Sequence, residues 1–225
     1  GQWQPDLPEQ IEVCAVELPG RRARSHLPLI RRVEPLAAAV ANGLAPYLDL
    51  PYALMGHSFG ALVAYELYHR LRDLPGVRPP SALIISGTAA PHVRRRQRIA
   101  HLPDPEFLAE IRTYGGIPDP ILAEPEFIDV FLPVLRADFE AFEHYQPGPY
   151  PPVTCPLHLC GGRHDPLATP AQVAAWADLA AGPVTTDFFD GGHFYLNDRR
   201  KDLTTAIAHR LTQHLPDLPL PAVER

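Results

Sequence analysis

The sequence predicts a layered α/β fold built on a mostly parallel sheet. Three observations carry that reading. Short apolar runs closed by glycine occur at Leu83–Ser86 and Leu157–Cys160, helical periodicity fills the stretches around them, and an apolar run at Tyr52–Met55 breaks at Gly56-His-Ser-Phe-Gly60 and resumes as a helix. Such runs suit strands of a parallel sheet, whose two faces are both covered by helices and so need no alternating polar positions.

Taken in order, Ile11 to Leu18 alternates, is rich in β-formers and stops at Pro19-Gly20, which predicts a first strand ending in a turn. A basic loop follows. Leu36, Val40, Leu44 and Leu48 then recur at four-residue spacing, with Pro35 able to sit in a first turn, which predicts an amphipathic helix. Next come the strand at Tyr52–Met55 and a helix from Ala61 to Leu71, apolar almost all round and therefore buried against a sheet. Beyond Leu83–Ser86 the alternation lapses for longer than one βα crossover needs. Phe107, Leu108, Ile111 and Tyr114 stand at helical spacing, and Phe127, Val130, Phe131, Val134, Leu135, Phe139 and Phe142 read as one further face, interrupted by Pro133. A helical insertion over the sheet, a lid spanning approximately residues 91–150, is the expectation, with the proline-rich Gln146–Pro152 leading back to the core. After Leu157–Cys160, Val173, Trp176 and Leu179 suggest a helix, Val184–Phe189 a strand, and Leu203, Ile207 and Leu211 a C-terminal helix.

The 225 residues are 46% hydrophobic, enough to bury one sizeable core, so a single domain over 1–225 is expected. No apolar run approaches membrane-spanning length and nothing at the start resembles a secretion signal, which leads to the expectation of a soluble, cytoplasmic protein. The three cysteines, Cys14, Cys155 and Cys160, make an odd count and two lie in apolar stretches; buried free thiols are expected rather than a disulfide or a metal site. A net charge of −6 argues against general nucleic-acid binding. Basic residues cluster at Arg21, Arg22 and Arg24, at Arg31 and Arg32, and at Arg94, Arg95, Arg96 and Arg98, either as solvated surface or as a docking face for an acidic partner.

The chemistry centres on Ser58. A serine between glycines at a strand-to-helix turn is a nucleophile elbow: the tight turn leaves no space for neighbouring side chains and holds the hydroxyl away from its own backbone. The following amide, that of Phe59, lies at a helix N-terminus, where a free N–H and the helix dipole stabilise a developing oxyanion. A serine nucleophile needs a base, and the base needs a carboxylate to fix its tautomer. In chain order serine, acid, histidine, the best acid is Asp165 in Gly161-Gly-Arg-His-Asp165 and the best base is His193 in Asp190-Gly-Gly-His-Phe194. Both follow strands at the sheet edge where open α/β folds bind ligands. The competitors are weaker. His57 adjoins the serine and is expected to pack or hydrogen-bond, His164 lies in a loop and should be solvent-exposed, and Asp187 and Asp190 are close in sequence to His193.

These residues resemble the free-standing, type II thioesterases that accompany nonribosomal peptide and polyketide synthases. The resemblance covers nearly the whole chain and rests on Val16-Glu-Leu-Pro-Gly-Arg21, the Gly56–Ala61 elbow, Leu132-Pro-Val-Leu-Arg-Ala-Asp138, Cys160-Gly-Gly-Arg-His-Asp165 and Gly191-Gly-His-Phe194. It implies an α/β-hydrolase fold with a helical lid, and hydrolysis of acyl thioesters on the phosphopantetheine arm of acyl or peptidyl carrier proteins, clearing stalled or mis-primed intermediates in antibiotic-type biosynthesis. Ser58, Asp165 and His193 would be the catalytic residues and the Phe59 amide an oxyanion donor, with no cofactor or metal and a monomeric enzyme whose partner is the carrier protein. Thioesterase domains built into a synthase carry the acid one strand earlier, where this chain has Ser86-Gly-Thr-Ala; that favours the free-standing type. The family also opens with a central strand and a glycine-rich loop that supplies a second oxyanion donor, so a native N-terminal segment of about twenty to thirty residues is expected before Gly1. A general carboxylesterase on small soluble esters and a catalytically silent hydrolase fold kept for protein interaction are the alternatives.

Overall fold

The computed structural model describes residues 2–94, 98–117, 120 and 124–214. Among them β1 (Ala53–His57), β2 (Ala82–Ser86), β3 (Leu157–Gly162) and β4 (Val184–Phe189) form one sheet in that spatial order, every neighbouring pair parallel. β2 and β3 lie inside it and are buried along their whole lengths, as their unbroken apolar runs require.

The two faces of the sheet carry separate cores. Leu54, Leu83, Ile85, Leu157 and Leu159 face α1 (Val33–Leu44) and α2 (Phe59–Arg72), while Ala82, Ile84 and Cys160 face Leu203, Ile207 and Leu211 of a C-terminal helix (Arg200–His214). The period-two alternation along β2 thus feeds both. Pro35 stands in the first turn of α1, whose Leu36 and Val40 are buried, and α2 is buried at every position from Ala61 to His69. Leu62 and Leu71 are fully buried, and each such leucine contributes about 1.5–3 kcal/mol. After β3, a Thr169–Gln172 capping box starts the short helix Pro170–Ala174, which runs on into a 3-10 turn holding the fully buried Trp176.

Three expectations are corrected. Ile11–Leu18 is not a strand. Propensity and alternation make a segment able to pair, but a strand needs a ladder partner, and here the Gln4 side chain takes that place: its Nε2 donates to the Ile11 carbonyl at 2.8 Å and its Oε1 accepts from the Val13 amide at 2.9 Å. Cys14, within this segment, is exposed rather than buried, whereas Cys160 is buried and its thiol is pushed up to about 12 by burial. The third concerns the helices between β2 and β3, α3 (Asp104–Tyr114) and α4 (Pro125–His144). α4 continues through Pro133 without a break. Asp129, whose carbonyl loses its donor there, is exposed, so solvent can replace the lost bond. The apolar positions of α4 also do not share one face. Ile128, Leu132, Leu135 and Phe139 follow the 3.6-residue repeat and pack with Ile99, Phe107 and Ile111, leaving Val130 63% and Phe131 47% exposed on the neighbouring stripe. The Phe127 side chain lies outside the described residues. Among the described residues no helix is long and apolar enough to cross a membrane.

Candidate active site

Ser58 caps α2 directly after β1 with φ 53° and ψ −120°, a left-handed backbone that serine rarely adopts. Backbone strain of this kind costs on the order of 1–3 kcal/mol and persists only where the surroundings over-determine it. The surroundings do so at Gly56, where a Cβ would stand 2.1 Å from the Gly60 carbonyl oxygen. Gly60 itself has open space at its Cβ position, so the close approach that the elbow demands is one-sided.

The structure brings Ser58, Asp165 and His193 together. His193 Nε2 lies 3.0 Å from Ser58 Oγ, and His193 Nδ1 lies 2.8 Å from Asp165 Oδ2. Asp165 is 3% exposed and its other oxygen accepts the Leu167 and Ala168 amides at 2.8 and 3.1 Å, so the carboxylate cannot rotate freely. The acid and base loops meet through glycines. A Cβ on Gly162, at the end of β3, would lie 2.2 Å from the Gly192 carbonyl oxygen, and Gly191 adopts φ 134°. The close approach of the two loops therefore requires glycine at 162, while Gly191 supplies the left-handed turn before His193 and Gly192 has no contact nearer than 4.0 Å at its Cβ position. The Phe59 amide heads α2 beside the serine, as expected of an oxyanion donor.

The competing residues go elsewhere. His57 hydrogen-bonds Ser86, His164 is exposed and pairs with Asp190 at 3.3 Å, Asp187 pairs with Arg210 on the C-terminal helix, and Asp190 also meets Arg199 at 3.2 Å. Among the described residues no group of three or more His, Cys, Asp or Glu is placed to hold a metal ion.

Ser58 and His193 open onto a cavity of about 840 Å³ between the ends of the strands and the α3–α4 helices. Ile111, Leu135, Phe139 and Phe142 line it from the helices, and Thr88, Leu167 and Gln172 from the sheet side. One wall was not legible in the sequence. Asp138 of the Leu132–Asp138 motif lines the cavity and is held by Arg21 of the Val16–Arg21 motif, residues 117 apart in the chain. Burial raises the Asp138 carboxyl above its ordinary range, with Arg21 opposing the shift. Arg136, from the same motif, donates to the Leu102 carbonyl at 2.8 Å and sits over the Phe107 ring at 4.3 Å. Part of the basic clustering is thus internal structure: Arg31 pairs with Glu140 of α4, and Arg94 donates to the Phe142 and Tyr145 carbonyls at 2.8 and 3.0 Å. Arg22 and Arg24 are exposed. Arg95 and Arg96 lie outside the described residues.

The family profile of the Thioesterase domain matches residues 1–214. The chain belongs to the thioesterase family. Among curated proteins, the thioesterase is 37% identical over 218 residues to the linear gramicidin dehydrogenase LgrE of Brevibacillus parabrevis, covering 95% of this chain and 82% of that protein. Among solved structures it is 38% identical to the RedJ thioesterase from the prodiginine pathway of Streptomyces coelicolor, at a TM-score of 0.84 over 92% of this chain and 78% of the other. It is 36% identical to YbtT, the type II thioesterase of the yersiniabactin pathway, at a TM-score of 0.79 over 90% and 81%. The thioesterase has the α/β-hydrolase fold of these structural neighbours.

Proposed function

We propose that this thioesterase hydrolyses acyl thioesters carried on the phosphopantetheine arm of acyl or peptidyl carrier proteins, as an editing enzyme of nonribosomal peptide or polyketide synthesis in the cytoplasm. The observation that carries the reading is the hydrogen-bonded series Ser58–His193–Asp165 at the mouth of the cavity. Ser58 attacks the thioester carbonyl while His193 Nε2 takes its proton, Asp165 holds the resulting imidazolium, and the Phe59 amide faces the oxyanion. The carbon–sulfur bond breaks as the acyl–serine ester forms, and the departing thiolate takes the proton from His193, which is then neutral again. Water, deprotonated by the same His193, then releases the acid and restores Ser58. The α3–α4 region, about residues 91–150, acts as the lid whose apolar side chains enclose the acyl group.

The relatives support this reading by what they are called: YbtT, 36% identical, is a type II thioesterase of an NRPS/PKS pathway, and RedJ, 38% identical, is a thioesterase of a biosynthetic pathway. The word dehydrogenase in the name of LgrE does not carry over, because at the end of β1 this chain presents a serine with its base and acid, the groups of acyl transfer rather than of hydride transfer. The test is acyl release from an acetyl- or propionyl-loaded carrier protein, with a small nitrophenyl ester in parallel and Ser58→Ala as control. Turnover of the carrier substrate that is faster than that of the ester and lost in Ser58→Ala is expected. Turnover of the ester alone would replace this reading with a general esterase, and no turnover of either with a silent fold.

A further inference from the structure

A second series of hydrogen bonds lies beneath the first. His57 directly precedes Ser58, Ser86 ends β2 opposite it in register, and Tyr195 follows His193 by two residues. His57 Nδ1 lies 2.8 Å from Ser86 Oγ, which lies 2.7 Å from Tyr195 Oη. Ser86 and Tyr195 are buried to 0% and 1% exposure, so water does not compete for these bonds.

The His57 ring is confined on several sides. Its centroid stands 5.0 Å from that of His193, tilted by 46°, and 6.1 Å from that of Phe194. Gly87, at φ 58°, yields the remaining space: a Cβ there would lie 2.5 Å from His57 Cε1. His57 Nε2 is shielded from solvent and has no hydrogen-bond partner among the described residues. The Ser86 hydroxyl, able to donate and to accept, joins the His57 ring to the Tyr195 hydroxyl whichever tautomer the ring adopts. Burial first, and the His193 charge second, push His57 down to about 3, with Asp165 opposing, so the ring stays neutral beside His193.

His193 is pinned at its two ring nitrogens by Asp165 and Ser58, but two bonds on opposite sides of a ring leave it free to tilt about the line between them. His57 on one side and Phe194, whose ring meets it edge-on at 5.1 Å, remove that freedom. Tyr195 anchors the loop that carries His193, through Ser86, to the residue before the nucleophile. We propose that His57, Ser86 and Tyr195 form a positioning relay that fixes the tilt and distance of His193 relative to Ser58. The inference rests on the roles given to Ser58 and His193 above.

The experiment uses Tyr195→Phe, Ser86→Ala, His57→Ala and His57→Asn in the full chain. Ser58 is titrated by a fluorophosphonate to count active sites, and kcat and KM are measured per titrated site on an acyl-loaded carrier. Tyr195→Phe and Ser86→Ala are expected to lower kcat about five- to a hundredfold with KM nearly unchanged, the range between one lost hydrogen bond and a small misplacement of the base. His57→Asn keeps a side chain able to hydrogen-bond near Ser86 and is expected to retain more kcat than His57→Ala. Should His57→Ala fail to fold, the isosteric Tyr195→Phe decides alone. Wild-type kcat per titrated site in Tyr195→Phe overturns the relay, as does a loss matched entirely by fewer titratable sites. A wild-type protein that the fluorophosphonate does not label at Ser58 overturns the functional reading itself, and the relay with it; labelled and active wild type with unaffected variants overturns the relay only.

Discussion

Replacing Asp165 by asparagine tests the electrostatic logic of the site while leaving its shape intact. Asp165 Oδ1 accepts two backbone amides, those of Leu167 and Ala168. An asparagine cannot turn its NH2 toward those donors, so its carbonyl must occupy the Oδ1 position and its NH2 the position 2.8 Å from His193 Nδ1. His193 then accepts at Nδ1 and carries its proton on Nε2, pointing at Ser58 Oγ. In that tautomer it cannot remove the serine proton. The expected loss is about 10³- to 10⁴-fold in kcat, or roughly 4–5.5 kcal/mol of barrier, as when the acid of a serine triad is changed to its amide. Acyl release from a loaded carrier and the rate of fluorophosphonate labelling should fall together, while the melting temperature changes little because packing is conserved. Retention of a tenth or more of the wild-type kcat would refute the argument that the two backbone amides dictate the orientation at residue 165.

Three further outcomes are expected. Gly56→Ala should abolish folding or activity because its Cβ meets the Gly60 carbonyl, whereas Gly60→Ala, in open space within α2, should be near wild type or up to about 1 kcal/mol more stable; chemical denaturation and ester turnover check both, and an inactive Gly60→Ala would contradict the one-sided elbow. Arg21→Met should destabilise by about 1–3 kcal/mol by leaving the Asp138 carboxylate without its cation, and much of that loss should be absent in an Asp138→Asn background; additive effects in the double-mutant cycle would rule out the pair as a coupled unit. Glu66, fully buried on α2, accepts the Tyr145 and Tyr150 hydroxyls at 2.9 and 2.7 Å, yet burial outweighs them and raises its carboxyl above the ordinary value. The folded state then binds more protons than the unfolded state, so stability falls as pH rises from the ordinary glutamate range through the raised value. Glu66→Gln should gain melting temperature relative to wild type across that window, and a difference independent of pH would contradict the shift.

Much of the fold and site could be read without coordinates because the signals are local. An unbroken apolar run marks a strand covered on both faces, as at Leu83–Ser86, and the four-residue spacing of Leu36, Val40 and Leu44 marks the buried face of α1. The elbow is legible for the same reason: the constraint on Ser58 comes from backbone within a few residues of it. Local signals mislead where the outcome depends on a distant partner. Ile11–Leu18 has the composition of a strand but has the Ile11 carbonyl and the Val13 amide bound by the Gln4 side chain, and the face of α4 that turns inward is chosen by Ile99, Phe107 and Ile111, which leaves Phe131 half-exposed.

The sequence by itself determined the layered class, the position of the candidate nucleophile and the identity of its candidate acid and base, since each is written in a short pattern with a backbone reason. Only the tertiary structure decided which polar and charged residues serve each other. Arg21 meets Asp138 and His57 meets Ser86 and Tyr195 because parallel strands and the helices between them bring chain positions far apart in sequence to one edge of the sheet. Charge and hydrogen bonding act over a few ångströms of space rather than along the chain, so such pairs leave no periodicity to read.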